Sequence, residues 1–123
     1  MSLRDSLRGL FAKPYQRIHA VEASARMDAG AILLDVRESH EWQAGHAQGA
    51  RHIPLGQLGQ RMRELPVGRP VITVCRSGAR SARAASLLAG QGREVSNLRG
   101  GMRGWVAGGL PVVGKGGRPG AVI

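Results

Sequence analysis

The fold of this chain is decided at residues 71–81, which read VITVCRSGARS. The four β-branched residues at 71–74 indicate a strand buried in the middle of a sheet. That strand leads directly to Cys75. Residues 81–89 are rich in alanine and leucine and are followed by glycines at 90 and 92, so a helix is expected there. The segment therefore predicts a strand, a short loop that carries a cysteine, and a helix.

The rest of the chain repeats this alternation of strand and helix. Residues 31–36 are apolar except for Asp35, as expected of a strand covered on both faces of a parallel sheet. The alternation predicts an α/β fold with a central, mostly parallel sheet of about five strands, helices on both faces, and a binding site at the strand carboxyl ends. The same criteria assign strands at 15–18 and 95–98, helices at 20–27 and 55–65, and a loop with a turn of helix at 38–54.

The length of 123 residues fits one domain with one core. We assign residues 14–113 to that domain. Residues 1–13 have leucines at helical spacing between basic side chains, which predicts a short basic amphipathic helix that packs on its own domain rather than on a membrane. Residues 114–123 are rich in glycine and are expected to form a flexible tail.

Charge and composition exclude several classes of function. The chain carries 18 Lys and Arg against 8 Asp and Glu, for a net charge of +10. Such a field attracts anions in general, but the four aromatic residues do not alternate with basic ones as base stacking would require, which argues against nucleic acid. No membrane span or secretory signal is evident, so the cytoplasm is expected.

Cys75 is the only cysteine, so the chain has no internal disulfide, CxxC pair or multi-cysteine zinc site. A strand-to-helix loop can turn successive N–H groups inward as an anion site, which would stabilise a thiolate and lower its pKa. A core cysteine without chemistry is the plain alternative, but the polar run that follows Cys75 favours a reactive thiol. We predict Cys75 as the nucleophile and the following loop residues as substrate-binding: Arg76, Ser77, Gly78, Ala79, Arg80 and Ser81.

Three blocks of sequence carry a resemblance to a known family. The loop at 75–81 resembles the active-site loop of single-domain rhodanese-like sulfurtransferases. The upstream block contains LDVR at 34–37, followed by EW at 41–42, GH at 45–46, GA at 49–50 and IP at 53–54. The downstream block is LRGGMRGW at 98–105 with GLPV at 109–112. The resemblance extends from Tyr15 to Val112. The chain departs from the family at Ala47, where an isoleucine is usual. This difference bears on local packing more than on the chemistry of the site.

The resemblance implies a reaction in two halves. The Cys75 thiolate takes a sulfane sulfur from a small sulfur-containing anion such as thiosulfate, or from a persulfide, and then passes it to a thiophilic acceptor. Because there is no second cysteine, the acceptor must be an external thiol, cyanide or a sulfur-acceptor protein. No cofactor is implied, and the six-residue spacing of His40, His46 and His52 matches no common metal site.

Asp35 and Arg37 follow a strand that should lie beside the strand leading to Cys75. We assign them a supporting role, with Asp35 capping backbone N–H groups rather than acting in catalysis. Arg37 and Glu41 are expected to pair. Trp105 is interpreted as a packing residue.

Two other classes of protein compete with a sulfurtransferase. A cysteine phosphatase or an arsenate reductase would hold an oxyanion in a similar loop, but those enzymes resemble Cys-x5-Arg, whereas four residues separate Cys75 from Arg80. A non-catalytic docking module would retain the fold without the chemistry, and the presence of the cysteine and both loop arginines argues against it. Relay of sulfur to a cofactor-synthesis or tRNA-thiolation protein remains open, because it uses the same chemistry.

Overall fold

The computed structural model describes residues 14–123 as an α/β domain. The predicted helix at 1–13 lies outside the described residues. In chain order the elements are β1 (Gln16–Ile18), α1 (Ala20–Asp28), β2 (Ile32–Asp35), α2 (Ser39–Ala44), β3 (His46–Ala47), β4 (Arg51–His52), α3 (Leu58–Arg61), β5 (Val71–Val74), α4 (Ala79–Gly90), β6 (Val95–Leu98), α5 (Gly101–Ala107) and β7 (Val112–Val113), with 3-10 turns at Leu55–Gln57, Met62–Glu64 and Lys115–Gly117.

Five strands form the central sheet in the order β1-β6-β5-β2-β4, and all of them are parallel. The strand that leads to Cys75 lies in the middle, since Ile72 is in register with Leu33 on one side and Ser96 on the other. A separate antiparallel pair joins β3 to β7. The predicted fold class is confirmed.

Side chains of the central strands enter two cores because successive residues of a strand point to opposite faces. Leu34 and Val71 face α3 and α4, where Leu88 packs. Leu33 and Ile72 face α1 and α5. On that second face Trp105 is 2% exposed and its indole N–H donates to the Pro111 carbonyl at 2.9 Å, so its interpretation as a packing residue is confirmed.

Three local predictions differ from the structure. Residues 55–65 do not form one helix, since α3 covers only four residues between two 3-10 turns. Gly56 and Gly59 lie in this segment, and glycine weakens a helix interior. The sequence predicts a loop with a turn of helix for residues 38–54, yet they form α2, β3 and β4. Helix α4 begins at Ala79, two residues before the predicted start.

Residues 114–123 lie against the end of α2. The Ala121 N–H donates to the Ala44 carbonyl at 2.9 Å. The Ala121 backbone lies so close to Gly45 that a side chain at Gly45 would overlap it. The flexibility of this tail stays a prediction, as does the domain boundary at 113. Within residues 14–123, no helix has the length and apolar character needed to cross a membrane.

Candidate active site

The loop after β5 is short. Strand β5 ends at Val74 and helix α4 begins at Ala79, so four residues, Cys75 to Gly78, make the connection. Gly78 is the N-cap of α4 and has a φ of 122°, a backbone conformation that residues with a side chain rarely adopt. The reversal at Gly78 places the N-terminus of a twelve-residue helix beside Cys75.

The Cys75 sulfur lies at the base of this loop and is surrounded by hydrogen-bond donors. The residue is 1% exposed. The Gly78 N–H donates to Sγ at 3.1 Å. The Ser81 hydroxyl lies within hydrogen-bond distance of Sγ, at 3.3 Å, and of the Gly78 carbonyl oxygen, at 3.2 Å. Burial raises the pKa of the thiol, but the Ser81 hydroxyl and the N–H groups of Ser81, Gly78 and Ser77 together hold that pKa below its ordinary value. The site therefore favours a thiolate, the nucleophilic form of cysteine.

Two polar side chains beneath the loop fix its shape. The Asn97 amide on β6 donates to the Gly78 carbonyl at 3.3 Å. The Thr73 hydroxyl lies within hydrogen-bond distance of the Ser81 carbonyl, at 2.9 Å, and of the Asn97 amide oxygen, at 3.3 Å. Thr73 and Asn97 are buried. They link β5 and β6 to the end of the loop at Gly78 and to the first turn of α4.

Arg80 is held by Glu41 of α2. Its two terminal nitrogens donate to the two carboxylate oxygens at 2.6 and 2.9 Å. The hydrogen bond from Arg80 is the main reason why the pKa of Glu41 falls to about 2, and the same bond raises the pKa of Arg80. Glu41 also accepts the Glu38 N–H at 3.0 Å, so the start of α2 is connected to the first turn of α4. The expected pairing of Glu41 with Arg37 is wrong.

Arg37 pairs with Asp35 instead, and both side chains are completely buried. The Arg37 Nη2 donates to Asp35 Oδ2 at 2.7 Å and to the Gly45 carbonyl at 2.8 Å. Asp35 Oδ1 accepts the Arg37 N–H at 3.0 Å, which is the backbone contact that the sequence predicted. Asp35 and Arg37 are only two residues apart, so the bend after β2 brings their side chains together. Glu41 lies on α2 and faces Arg80 of α4 instead.

The N-terminus of α5 fixes the loop from the other side of the sulfur. The Met102 N–H donates to the Cys75 carbonyl at 2.8 Å, and the Arg103 N–H donates to the Arg76 carbonyl at 3.4 Å. These contacts require a glycine at 101, where φ is 57° and a side-chain carbon would overlap the carbonyls of Cys75 and Arg76. Glycine thus allows α5 to approach the loop backbone.

A family model described as the rhodanese-like domain matches residues 19–108. The chain belongs to the rhodanese family. The match begins just before α1 and ends just after α5, so it contains the loop and each of the contacts around Cys75, Arg80 and Arg37 described in this subsection.

Curated relatives of this rhodanese domain include sulfurtransferases. The chain is 44% identical over 94 residues to the uncharacterized protein YqhL of Bacillus subtilis (73% of this chain, 75% of the relative). It is 42% identical over 83 residues to a sulfurtransferase of Allochromatium vinosum (67% and 78%). It is 35% identical over 92 residues to the thiosulfate sulfurtransferase GlpE of Stutzerimonas stutzeri (74% and 84%).

Solved structures share the fold. A rhodanese-related protein from Thermoplasma volcanium superposes with a TM-score of 0.75 at 30% identity, covering 80% of this chain and 98% of that one. The shared fold therefore extends over nearly the whole of that rhodanese-related protein.

The rhodanese loop brings together only part of the predicted site. Ser81 and Gly78 contact the sulfur, whereas both terminal nitrogens of Arg80 are engaged by Glu41. Arg76 is exposed and forms no ion pair with any residue from 14 to 123. The sequence reasoning missed the functions of four residues: Glu41, Thr73, Asn97 and Gly101.

Of these four residues, only Gly101 stands in a local sequence pattern that indicates its role. The Gly100–Gly101 pair marked a close approach of backbone, which glycine permits. Thr73 and Asn97 each lie within a strand whose residues are all buried, and no local pattern shows that they face each other. No group of three or more His, Cys, Asp or Glu side chains that could hold a metal ion occurs in the described part of the chain.

Proposed function

We propose that this rhodanese domain transfers a sulfane sulfur from thiosulfate, or from a persulfide donor, to an external acceptor through a persulfide on Cys75. The observation that carries the proposal is the buried sulfur with a backbone N–H at 3.1 Å and a hydroxyl at 3.3 Å. Such donors stabilise a thiolate before the reaction and an anionic persulfide after it. The sulfurtransferase and thiosulfate sulfurtransferase names of two relatives support this assignment.

The first half of the reaction is a displacement at sulfur. The Cys75 thiolate attacks the outer sulfur of thiosulfate and forms a new S–S bond. The S–S bond of thiosulfate breaks, and its electron pair leaves with sulfite. Cys75 then carries a persulfide whose terminal sulfur is anionic. No proton is transferred in this step, because the thiolate form of Cys75 is the attacking species.

The second half returns the cysteine to its starting state. A nucleophilic acceptor attacks the outer sulfur of the persulfide, and the electron pair of the broken S–S bond returns to Sγ. Cyanide acting as acceptor would leave as thiocyanate. Since Cys75 is the only cysteine in the chain, no second thiol of the same chain can resolve the persulfide.

The loop residues divide into contacts and positioning residues. We assign the predicted substrate contacts to Arg76 and to the donors of Ser77, Gly78, Ala79 and Ser81. Arg80 acts as a positioning residue through Glu41, because each of its terminal nitrogens donates a hydrogen bond to that carboxylate. The Asp35–Arg37 pair supports the adjacent strand end.

Mass spectrometry of the intact protein tests the proposal. Treatment with thiosulfate should add one sulfur atom to the wild type, release one sulfite, and leave Cys75→Ser unchanged. Cyanide should then remove the added sulfur and yield thiocyanate. If the protein instead hydrolyses a phosphomonoester, and thiosulfate adds no mass, the loop is a phosphatase or arsenate-reductase site and the proposal fails.

A further inference from the structure

An open groove lies beside the active-site loop, on the face of the sheet that α5 covers. Its volume is about 700 Å³, within the range of sites that hold a ligand. The floor is largely apolar, and residues 120–122 of the tail form one wall. The side chains that matter for binding are Arg76, Arg103, Val106, Leu110, Val112 and Val122.

The groove is continuous with the loop that holds the nucleophile. Arg76, which lines it, directly follows Cys75 in the chain. The Arg103 N–H donates to the Arg76 carbonyl at 3.4 Å, and the Met102 N–H donates to the Cys75 carbonyl at 2.8 Å. A molecule seated in the groove therefore lies beside the backbone of the loop that carries Cys75.

The groove carries positive charge that the described part of the domain does not neutralise. Arg76 and Arg103 are both exposed, and neither forms an ion pair with a residue in the range 14–123. None of the lining residues is acidic. Val106, which also lines the groove, is 49% exposed. An apolar surface bordered by two unpaired cations matches a partner with an apolar side chain between carboxylates.

We propose that this groove docks the sulfur-acceptor protein through an apolar side chain flanked by Asp or Glu, with the acceptor cysteine next to that segment. The inference rests on the proposed function, since it identifies the acceptor of the second half-reaction. The acceptor thiol loses its proton to solvent and its thiolate attacks the outer sulfur of the persulfide. The bond to Sγ breaks, its electron pair returns to Cys75, and the acceptor leaves as a persulfide.

Charge argues against the other occupants that the chain itself can supply. The segment 1–13 has apolar residues, but it carries two arginines and a lysine against one aspartate, so the basic groove repels it. A second copy of a chain with a net charge of +10 is repelled in the same way. Nucleic acid would find no aromatic side chain among the lining residues on which a base could stack.

Three synthetic peptides with one cysteine each test the proposal. The first has a leucine flanked by glutamates, the second has lysines in place of the glutamates, and the third has serine in place of the leucine. Each receives sulfur from protein loaded with thiosulfate, and cyanide serves as a small acceptor. We expect the acidic leucine peptide to react about tenfold faster, in kcat/KM, than either of the others.

Two charge reversals locate the effect. Arg103→Glu should abolish or invert the preference for the acidic over the basic peptide. Arg63→Glu is the matched control, because Arg63 is exposed on the 3-10 turn Met62–Glu64 on the opposite face of the sheet, and it should keep the wild-type ratio. A ratio of two rates measured on one variant does not depend on that variant's overall activity.

The outcomes separate the two proposals. If cyanide discharges the persulfide while the three peptides react equally, or if Arg103→Glu leaves their ratio unchanged, the groove is not the acceptor site. If thiosulfate adds no sulfur to Cys75, the proposed function fails and the acceptor site fails with it.

Discussion

Arg76 lies in the loop after β5 and Arg80 lies four residues later in the first turn of α4, yet their surroundings differ completely. The guanidinium of Arg80 is clamped to the Glu41 carboxylate, whose side chain is only 10% exposed. The Arg76 side chain is exposed and unpaired within the described residues, although its carbonyl is fixed by α5. One cation belongs to the scaffold of the loop, and the other remains available to an anion from outside.

The difference shows that two arginines close together in the sequence can have different partners, one an internal carboxylate and the other none among the described residues. A partly buried carboxylate takes the cation that lies within its reach, because an unpaired buried charge is costly. The four substitutions below test the roles assigned to the two arginines and to the residues around Cys75, beginning with the largest expected effect.

Gly101→Ala should displace the backbone of the loop that carries Arg76 and leads to Arg80. The added carbon overlaps the carbonyls of Cys75 and Arg76, and the residue would have to keep a φ of 57°. We expect the free energy of unfolding to fall by about 1–3 kcal/mol and the rate of sulfur transfer to fall by about 100-fold as the loop shifts. Urea unfolding and thiosulfate–cyanide kinetics measure the two effects.

Gly56→Ala is the matched control for this change. A side-chain carbon at Gly56 meets no atom within 4 Å. Wild-type behaviour of Gly101→Ala in both measurements would show that the contact between α5 and the loop is unimportant.

Arg80→Ala should destabilise the protein more than Glu41→Gln. Removal of Arg80 leaves the Glu41 carboxylate buried without its partner, which costs about 1–3 kcal/mol, whereas the amide oxygen introduced by Glu41→Gln can still accept a hydrogen bond. Because the folded pKa of Glu41 is lowered to about 2, the stabilisation is complete above the unfolded pKa of roughly 4.3 and is lost as the pH falls towards 2.

Chemical unfolding between pH 2 and pH 7 checks this prediction. The stability difference between the wild type and Glu41→Gln should shrink below about pH 4. A difference that is constant across the range would mean that the ion pair is not formed in solution.

Ser81→Ala should raise the pKa of Cys75, because the Ser81 hydroxyl is the strongest of the donors that lower it. At neutral pH we expect alkylation of Cys75 by iodoacetamide to slow by about fivefold, the equivalent of one net hydrogen bond of ~1 kcal/mol. The rate should recover at high pH. Ser77→Ala is the matched control, since Ser77 contributes its backbone N–H and should leave the pKa unchanged. Parallel shifts in both variants would contradict the assignment.

Arg76→Ala should have the smallest effect and should leave the stability unchanged. We expect the KM for thiosulfate to rise about threefold, as for the loss of one exposed charge contact, and the rise should weaken at high salt. Arg76→Lys should retain most of the affinity. A loss of stability in Arg76→Ala comparable to that of Arg80→Ala would remove the distinction between the two arginines.

Local sequence patterns predicted most of the fold. The β-branched run before Cys75 and the apolar run before Asp35 correspond to β5 and β2, the two strands at the centre of the sheet. Such strands can be recognised in a sequence because a strand covered on both faces must be apolar throughout. The predictions for segments 38–54 and 55–65 are wrong, since short strands and 3-10 turns have no strong periodicity of their own.

The sequence by itself determined the family and the α/β architecture and predicted the position of the nucleophile, because these depend on residues that are adjacent or regularly spaced. Only the tertiary structure decided which carboxylate each arginine meets, that Thr73 and Asn97 support the loop, and that α5 reaches the loop at Gly101. Those contacts join residues that are distant in the chain, and their energies depend on distance and burial, which a linear pattern does not contain.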